Sequence, residues 1–148
     1  MTDSSHEANM RVALEEAAIG AAEGNPAVGS VIVRDGEIVA RGRNLVATTH
    51  DPTAHAETVA LREAGPAIGT DSMDGCTLYT TFEPCAMCCG ALMNAGISTL
   101  VMGARPAAGE SRWGGYTVER LIELAGRGDR IDVVTGVLVD ECLRVRGT

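Results

Sequence analysis

At 148 residues the chain fits one domain, and a 45% hydrophobic fraction suffices for a core built mainly from aliphatic side chains, since only four residues are aromatic. No stretch approaches the roughly 20 apolar residues that span a bilayer, which argues against a membrane helix. The formal net charge is −8 with twelve arginines and no lysine, which disfavours nonspecific binding to a phosphate backbone without excluding one local arginine patch.

The opening Met1-Thr-Asp-Ser-Ser-His6-Glu7 lacks the basic start and apolar core of a secretory signal, so a cytoplasmic location is expected. Residues 5 to about 24 read as a helix. Met10, Ala13, Leu14, Ala17, Ala18 and Ala21 recur at helical spacing, and Gly24-Asn25-Pro26 stops it. Two β-branched runs follow, Val28 to Arg34 and Glu37 to Arg41, joined by Asp35-Gly36, a strong hairpin signal. Residues 45–53 read as a loop. A helix is expected from Thr53, its N-cap, to Ala64, closed by Gly65-Pro66.

Cys76 to Phe82 reads as a buried strand, Cys85 to Ala95 as a helix ending at Gly96, and Ile97 to Gly103 as another strand. Residues 104–116 form a loop carrying Trp113 and Tyr116. A helix over about 117–126 and a strand from Ile131 to Val139 complete the order αββαβαβαβ. Strands separated by helices imply parallel neighbours, and the opening hairpin is antiparallel. The expected fold is α/β, one domain over 1–148 with a mixed sheet of about five strands between helices.

Five cysteines (Cys76, Cys85, Cys88, Cys89 and Cys142) are an odd number, and in a cytosolic chain close pairs suggest metal or catalysis before disulfides. Two segments stand out, Pro52-Thr-Ala-His55-Ala-Glu57 and Glu83-Pro84-Cys85-Ala-Met-Cys88, each where a helix begins. A Cys-x-x-Cys pair there sets two sulfurs on one side of the first turn, and the free N–H groups favour thiolates. His55 can add a third ligand. Three protein ligands leave tetrahedral Zn2+ one open position, as in a catalytic site, and a water there approaches a pKa of ~7 against ~15.7 in bulk. Glu57 lies two residues from His55, so both reach one site only if their helix points at it end-on. Glu57 would then stand beside the water as a proton carrier. Cys89 could compete as a ligand, but the spacing favours Cys88. Cys89, Cys76 and Cys142 read as packing, His6 and His50 as loop or surface residues, and Arg127, Arg130, Arg144 and Arg146 as solvated surface.

His55-Ala-Glu57 followed by Pro84-Cys85-Ala-Met-Cys88 matches the H-x-E…P-C-x-x-C pattern of zinc deaminases of nucleobases. From about Asn9 to Cys142 the chain resembles the cytidine deaminase-like superfamily, near the guanine, fungal-type cytosine and bacterial tRNA adenosine deaminases. Asp51-Pro-Thr-Ala-His-Ala-Glu57 is similar to the guanine and tRNA groups, and Leu78-Tyr-Thr-Thr-Phe-Glu-Pro-Cys85 to all three. The resemblance implies a three-layer αβα sandwich, one zinc on His55, Cys85 and Cys88, and Glu57 as the catalytic residue. It also implies substrate contacts from Asn44, the backbone N–H of Ala56 and the carbonyl of Glu83. Trp113, on its glycine-rich loop, is a candidate to stack on the ring.

The resemblance further implies a homodimer and deamination of a small nucleobase such as cytosine or guanine, with a tRNA adenosine deaminase as the alternative. A noncatalytic zinc-bound module leaves Glu57 without a role. The short, weakly basic end of the chain and the charge of −8 tell against RNA. The acidic extension that closes the pocket of fungal cytosine deaminases has no counterpart here, leaving Glu110, Asp140 and Glu141 as substitutes.

Overall fold

The computed structural model describes residues 3–147; Met1, Thr2 and Thr148, at the ends of the expected domain, lie outside the described residues. Helix α1 (Asp3–Ala22) leads into the hairpin β1 (Gly29–Arg34) and β2 (Glu37–Arg43). Asp35 and Gly36 both take positive φ, 51° and 80°, as the tight turn between twisted strands requires. A short helix α2 (Val46–Thr49) precedes α3 (Ala56–Ile68), β3 (Thr77–Phe82), α4 (Ala86–Ala95), β4 (Thr99–Ala104), α5 (Val118–Leu124), β5 (Asp132–Val134) and α6 (Val139–Arg146).

The sheet runs β2-β1-β3-β4-β5. Strand β1 is antiparallel to both β2 and β3, whereas β3–β4 and β4–β5 are parallel. The α3 crossover therefore joins strands that point the same way but passes over β1 to do so. Alternation along each strand feeds two cores. Ile32, Leu78, Leu100 and Met102 pack with Ala60, Ala64 and Leu92 on the α3–α4–α5 face. Val31, Val33, Tyr79 and Val101 pack with Met10, Ala13 and Cys142 on the α1–α6 face. This is the expected αβα sandwich with a mixed five-stranded sheet.

Three expectations are corrected. Thr53 is not the N-cap of α3: the helix starts at Ala56 with His55 in the cap position, and it continues through Pro66 to Ile68, ending at Gly69. The ring of Pro66 deprives Arg62 of a donor, but Arg62 is exposed and water can replace it. Residues 46–49, read as loop, form α2. The strand expected over Ile131 to Val139 is only Asp132–Val134. Gly136 (φ 80°) and Leu138 (φ 51°) turn the chain out of the sheet, and α6 follows. Asp140 and Glu141 in its first turn and Arg144 and Arg146 in its last complement its dipole.

Gly42 decides how near α3 sits to the sheet. A Cβ there would meet the carbonyl oxygen of Ala56 and lie 2.6 Å from the amide nitrogen of Ala60. The inner side of α3 carries Ala56, Ala60 and Ala64, which allow the same close approach. Gly42→Ala must push the start of α3, with His55 and Glu57, off the sheet. Overpacking of this kind costs about 1–3 kcal/mol. The expected outcome is a lower unfolding midpoint together with reduced bound zinc, measured by denaturation and elemental analysis; an unchanged zinc content would show that α3 can shift without disturbing its N-terminus.

Candidate metal and catalytic site

Two helices begin at one place. His55 caps α3 and Cys85 caps α4, both in extended conformation (φ −72°, ψ 156° and φ −67°, ψ 172°). A cap residue is free of the helical direction imposed on residues further in. His55 and Glu57, two apart, therefore both line one cavity. The end-on geometry required of α3 is met. Cys88, one turn into α4, is fully buried beneath it.

The side-chain ligand atoms of His55, Cys85 and Cys88 lie within 4.8 Å of one another. His55 Nδ1 stands 3.5 Å from Cys85 Sγ. Zinc bonds of ~2.3 Å to sulfur and ~2.05 Å to nitrogen at a tetrahedral angle place those atoms about 3.6 Å apart. The donor set thus fits zinc in identity and spacing. Electrostatics agree. Hydrogen bonds from Cys88 and then from His55 pull the Cys85 thiol down to about 4, against the opposing effect of burial. The same contact with Cys85, with burial, pushes the Cys88 thiol up. His55 is raised chiefly by its hydrogen bond to Cys85. Cys89 is fully buried in the α3–α4–α5 core, burial pushes its thiol up to about 11, and it is not in the metal-ligand cluster. Cys76 and Cys142 are buried, and all five cysteines are free.

Glu57 is 3% exposed. Burial raises its pKa, opposed first by a hydrogen bond from its own N–H and then by one from Thr80. Thr80 Oγ1 donates to Glu57 Oε2 at 3.1 Å, and Ser30 Oγ donates to Thr80 at 3.0 Å. Thus β1 and β3 hold one edge of the carboxylate.

The cavity in front of these groups has a volume of about 370 Å³, within the range of small-molecule sites. Asn44 lines it. Its Oδ1 accepts from the N–H of Val46 at 2.9 Å, which fixes the amide so that Nδ2 remains as a donor. Glu83 also lines it, but its carboxylate is turned away. That side chain is 7% exposed and takes Arg105 at 3.0 and 3.2 Å and the N–H of Val118 at 2.9 Å. The accessible part of Glu83 is its main chain. Trp113 lines the cavity and is 41% exposed. Ala56 is wholly buried at the first position of α3, between His55 and Glu57, and does not itself line the cavity.

Tyr116 and Arg146 are among the lining residues assigned no site role from the sequence. Tyr116 hydrogen-bonds the carbonyl of Pro84 and so braces the Pro-Cys turn; its only sequence signal is a second aromatic on the Trp113 loop. Arg146, expected on the solvated surface, lies with its guanidinium carbon 4.6 Å from the centre of the Phe82 ring. Of the acids considered for closing the pocket, Glu110 lines it, whereas Glu141 pairs outside with Arg11 and Arg144. His50 is exposed at the end of α2, and His6 meets the Tyr79 hydroxyl at 2.9 Å.

Residues 3–104 match the cytidine and deoxycytidylate deaminase zinc-binding region. The chain belongs to this zinc-binding deaminase family. It is 39% identical to the tRNA-specific adenosine deaminase of Bacillus subtilis (strain 168) over 134 residues, 90% of this chain and 81% of that one. It resembles a solved structure from work on A-to-I editing by tRNA:A34 deaminases, with TM-score 0.79, 31% identity, and 93% and 98% of the two chains covered. It equally resembles the guanine deaminase of Nitrosomonas europaea, with TM-score 0.79, 30% identity, and 95% and 82% covered.

With three ligands present the family chain should carry one zinc. Cys88→Ala is expected to lose most of it by elemental analysis, while Cys89→Ala keeps it; the reverse pattern would move the ligand to Cys89.

Proposed function

We propose that residues 1–148 form one cytoplasmic deaminase domain that removes the exocyclic amine of a small nucleobase ring such as cytosine or guanine. The observation that carries the reading is the buried Glu57 in the wall of the cavity that His55 and Cys85 also line, with one carboxylate edge held by Thr80. A metal centre alone needs no such acid.

The net reaction adds one water to the ring carbon bearing the amine and breaks the C–N bond, leaving an oxo group and ammonia. His55, Cys85 and Cys88 would hold the zinc, which would supply an activated water at neutral pH. Glu57 takes one proton from the attacking water and delivers it to the ring nitrogen, then takes the second from the newly added hydroxyl and delivers it to the amine as the C–N bond breaks. Its Oε2 stays with Thr80, so Oε1 does the exchange. Asn44 Nδ2 donates to the ring. The main-chain carbonyl of Glu83 accepts from the amine, held in place by the clamp of its own side chain on Arg105. Trp113 covers the ring and excludes water.

A tRNA adenosine deaminase is the second reading, favoured by the similarity to the B. subtilis enzyme along 90% of the chain. The charge of −8 and the absence of lysine favour the small ring, because an RNA loop has to be gripped by its phosphates. We also propose a homodimer. Helix α4 buries Cys88, Cys89, Leu92 and Met93 inward, and its Met87 and Ala91 are only half covered. Sedimentation at micromolar concentration should give twice the chain mass; a monomer would remove the dimer from the proposal.

Ammonia release across cytosine, guanine, isocytosine, adenine, their nucleosides and an anticodon stem-loop decides the substrate. Free-base turnover is expected to exceed that on RNA, and efficient inosine formation with no free-base activity would reverse the ranking. On the best substrate, Glu57→Gln should keep its zinc and lose activity by about 10²–10⁴-fold. A near-normal rate would take Glu57 out of the mechanism.

A further inference from the structure

Arg146 comes from a helix the sequence hides. One turn before it, Cys142 is buried against Gly103 of β4, where a Cβ would collide with its sulfur. That contact fixes α6 on the sheet, and the residue four further on lies on the same helix face. Arg146 thereby reaches Phe82, at the end of β3 and three residues before Cys85, and enters the wall of the cavity that holds Asn44, His55 and Glu57.

A guanidinium carries five N–H donors and no acceptor. The guanidinium carbon of Arg146 lies 4.6 Å from the centre of the Phe82 ring, a cation–π contact that holds the group at the cavity wall. No carboxylate lies within ion-pair distance of it among the described residues, although Glu110 lines the same cavity. Arg146 Nε is buried and has no hydrogen-bond partner. Its neighbour Arg144 is, by contrast, exposed and pairs with Glu141 at 3.7 Å. A guanidinium without an ion-pair partner in the wall of a cavity of about 370 Å³ selects a ligand by what that ligand can accept.

We infer that Arg146 is a specificity-determining residue, reading an oxygen acceptor on the edge of the substrate ring away from the amine. The preferred substrate class is then an amino-oxo heterocycle over an amino heterocycle lacking the oxo group. An oxo group accepts from the guanidinium. A hydrogen or a second amino group at that edge leaves the guanidinium without an acceptor. This rests on the deaminase reading.

Two pairs of rings without an exocyclic amine test binding apart from turnover: uracil against 4-pyrimidinone, and xanthine against purin-2-one. Each pair differs by one oxo group. Calorimetry on the zinc-loaded protein should show tighter binding of the dioxo ring in at least one pair. Arg146→Met should weaken that ring tenfold or more and leave its mono-oxo partner within threefold. Arg144→Met should change neither. In turnover, Arg146→Met should raise KM for cytosine relative to 4-aminopyrimidine with little change in kcat. If Arg146→Met does not fold by thermal melting, Arg146→Gln is scored the same way.

Equal weakening of both rings, no dioxo preference in the wild type, or no detectable binding of either pair overturns the inference. So does an effect confined to an anticodon stem-loop, which would make the guanidinium a phosphate contact. A wild type that binds with the expected preference but deaminates no ring would instead sink the deaminase reading alone.

Discussion

The site depends on two helix N-termini converging on one point. His55 and Cys85 are both cap residues, and each takes its ligand direction from extended backbone just ahead of a helix. The unpaired N–H groups at both ends favour negative charge between them, and the depressed Cys85 thiol reflects hydrogen bonds arriving from Cys88 and His55. The positions of both helices set the spacing of the ligand atoms. The tight contact of Gly42 on α3 and the parallel pairing of β3 with β4 on either side of α4 are therefore constraints on chemistry as much as on packing.

The sheet topology explains why the proton carrier is available there. Because β1 lies between β2 and β3, Ser30 and Thr80 are directly paired across strands, and both hydroxyls lie beneath the start of α3. They form a chain ending on Glu57. A carboxylate buried to this degree needs donors beyond its own N–H. Thr80 supplies one on a single edge, which steadies the group without occupying both oxygens. The loop after β4 adds a second support through Arg105, which bridges Glu83 and Glu119, and through Val118, whose N–H meets Glu83 at the start of α5. The Pro-Cys turn is thus fixed from behind, with its main chain toward the cavity.

Much of this was legible in the sequence because the signals were local. Asp35-Gly36 announces its own turn, Gly96 its helix end, and the His-x-Glu and Pro-Cys-x-x-Cys spacings their joint site. Where the reading failed, a local signal was outweighed by a distant contact. The valine-rich run after Ile131 has strand character, yet it leaves the sheet after three residues because Cys142 finds its seat on Gly103, and the charges of Asp140, Glu141, Arg144 and Arg146 suit a helix. Thr53 has the composition of an N-cap, but it lies in a turn whose carbonyl receives the Thr58 hydroxyl, which delays the helix to Ala56. That delay is what puts His55 in the cap position. Tyr116 and Arg146 carried no motif, since their roles arise only from what the fold places beside them.

Glu57 carries opposing influences that suit a group exchanging protons in both directions. Burial favours its neutral form most strongly, and the nearby Cys85 charge adds to that. Its own N–H, Thr80 and the His55 charge favour the ionised form. A carboxyl governed only by burial would hold its proton and not accept one; a carboxyl governed only by donors would never release a useful acid. The balance is set by backbone and hydroxyl donors belonging to β3 and α3, elements locked by the central sheet, and not by any flexible surface charge. The acid–base character of the residue is thereby built into the same strand pairing and helix approach that bring the three ligands together.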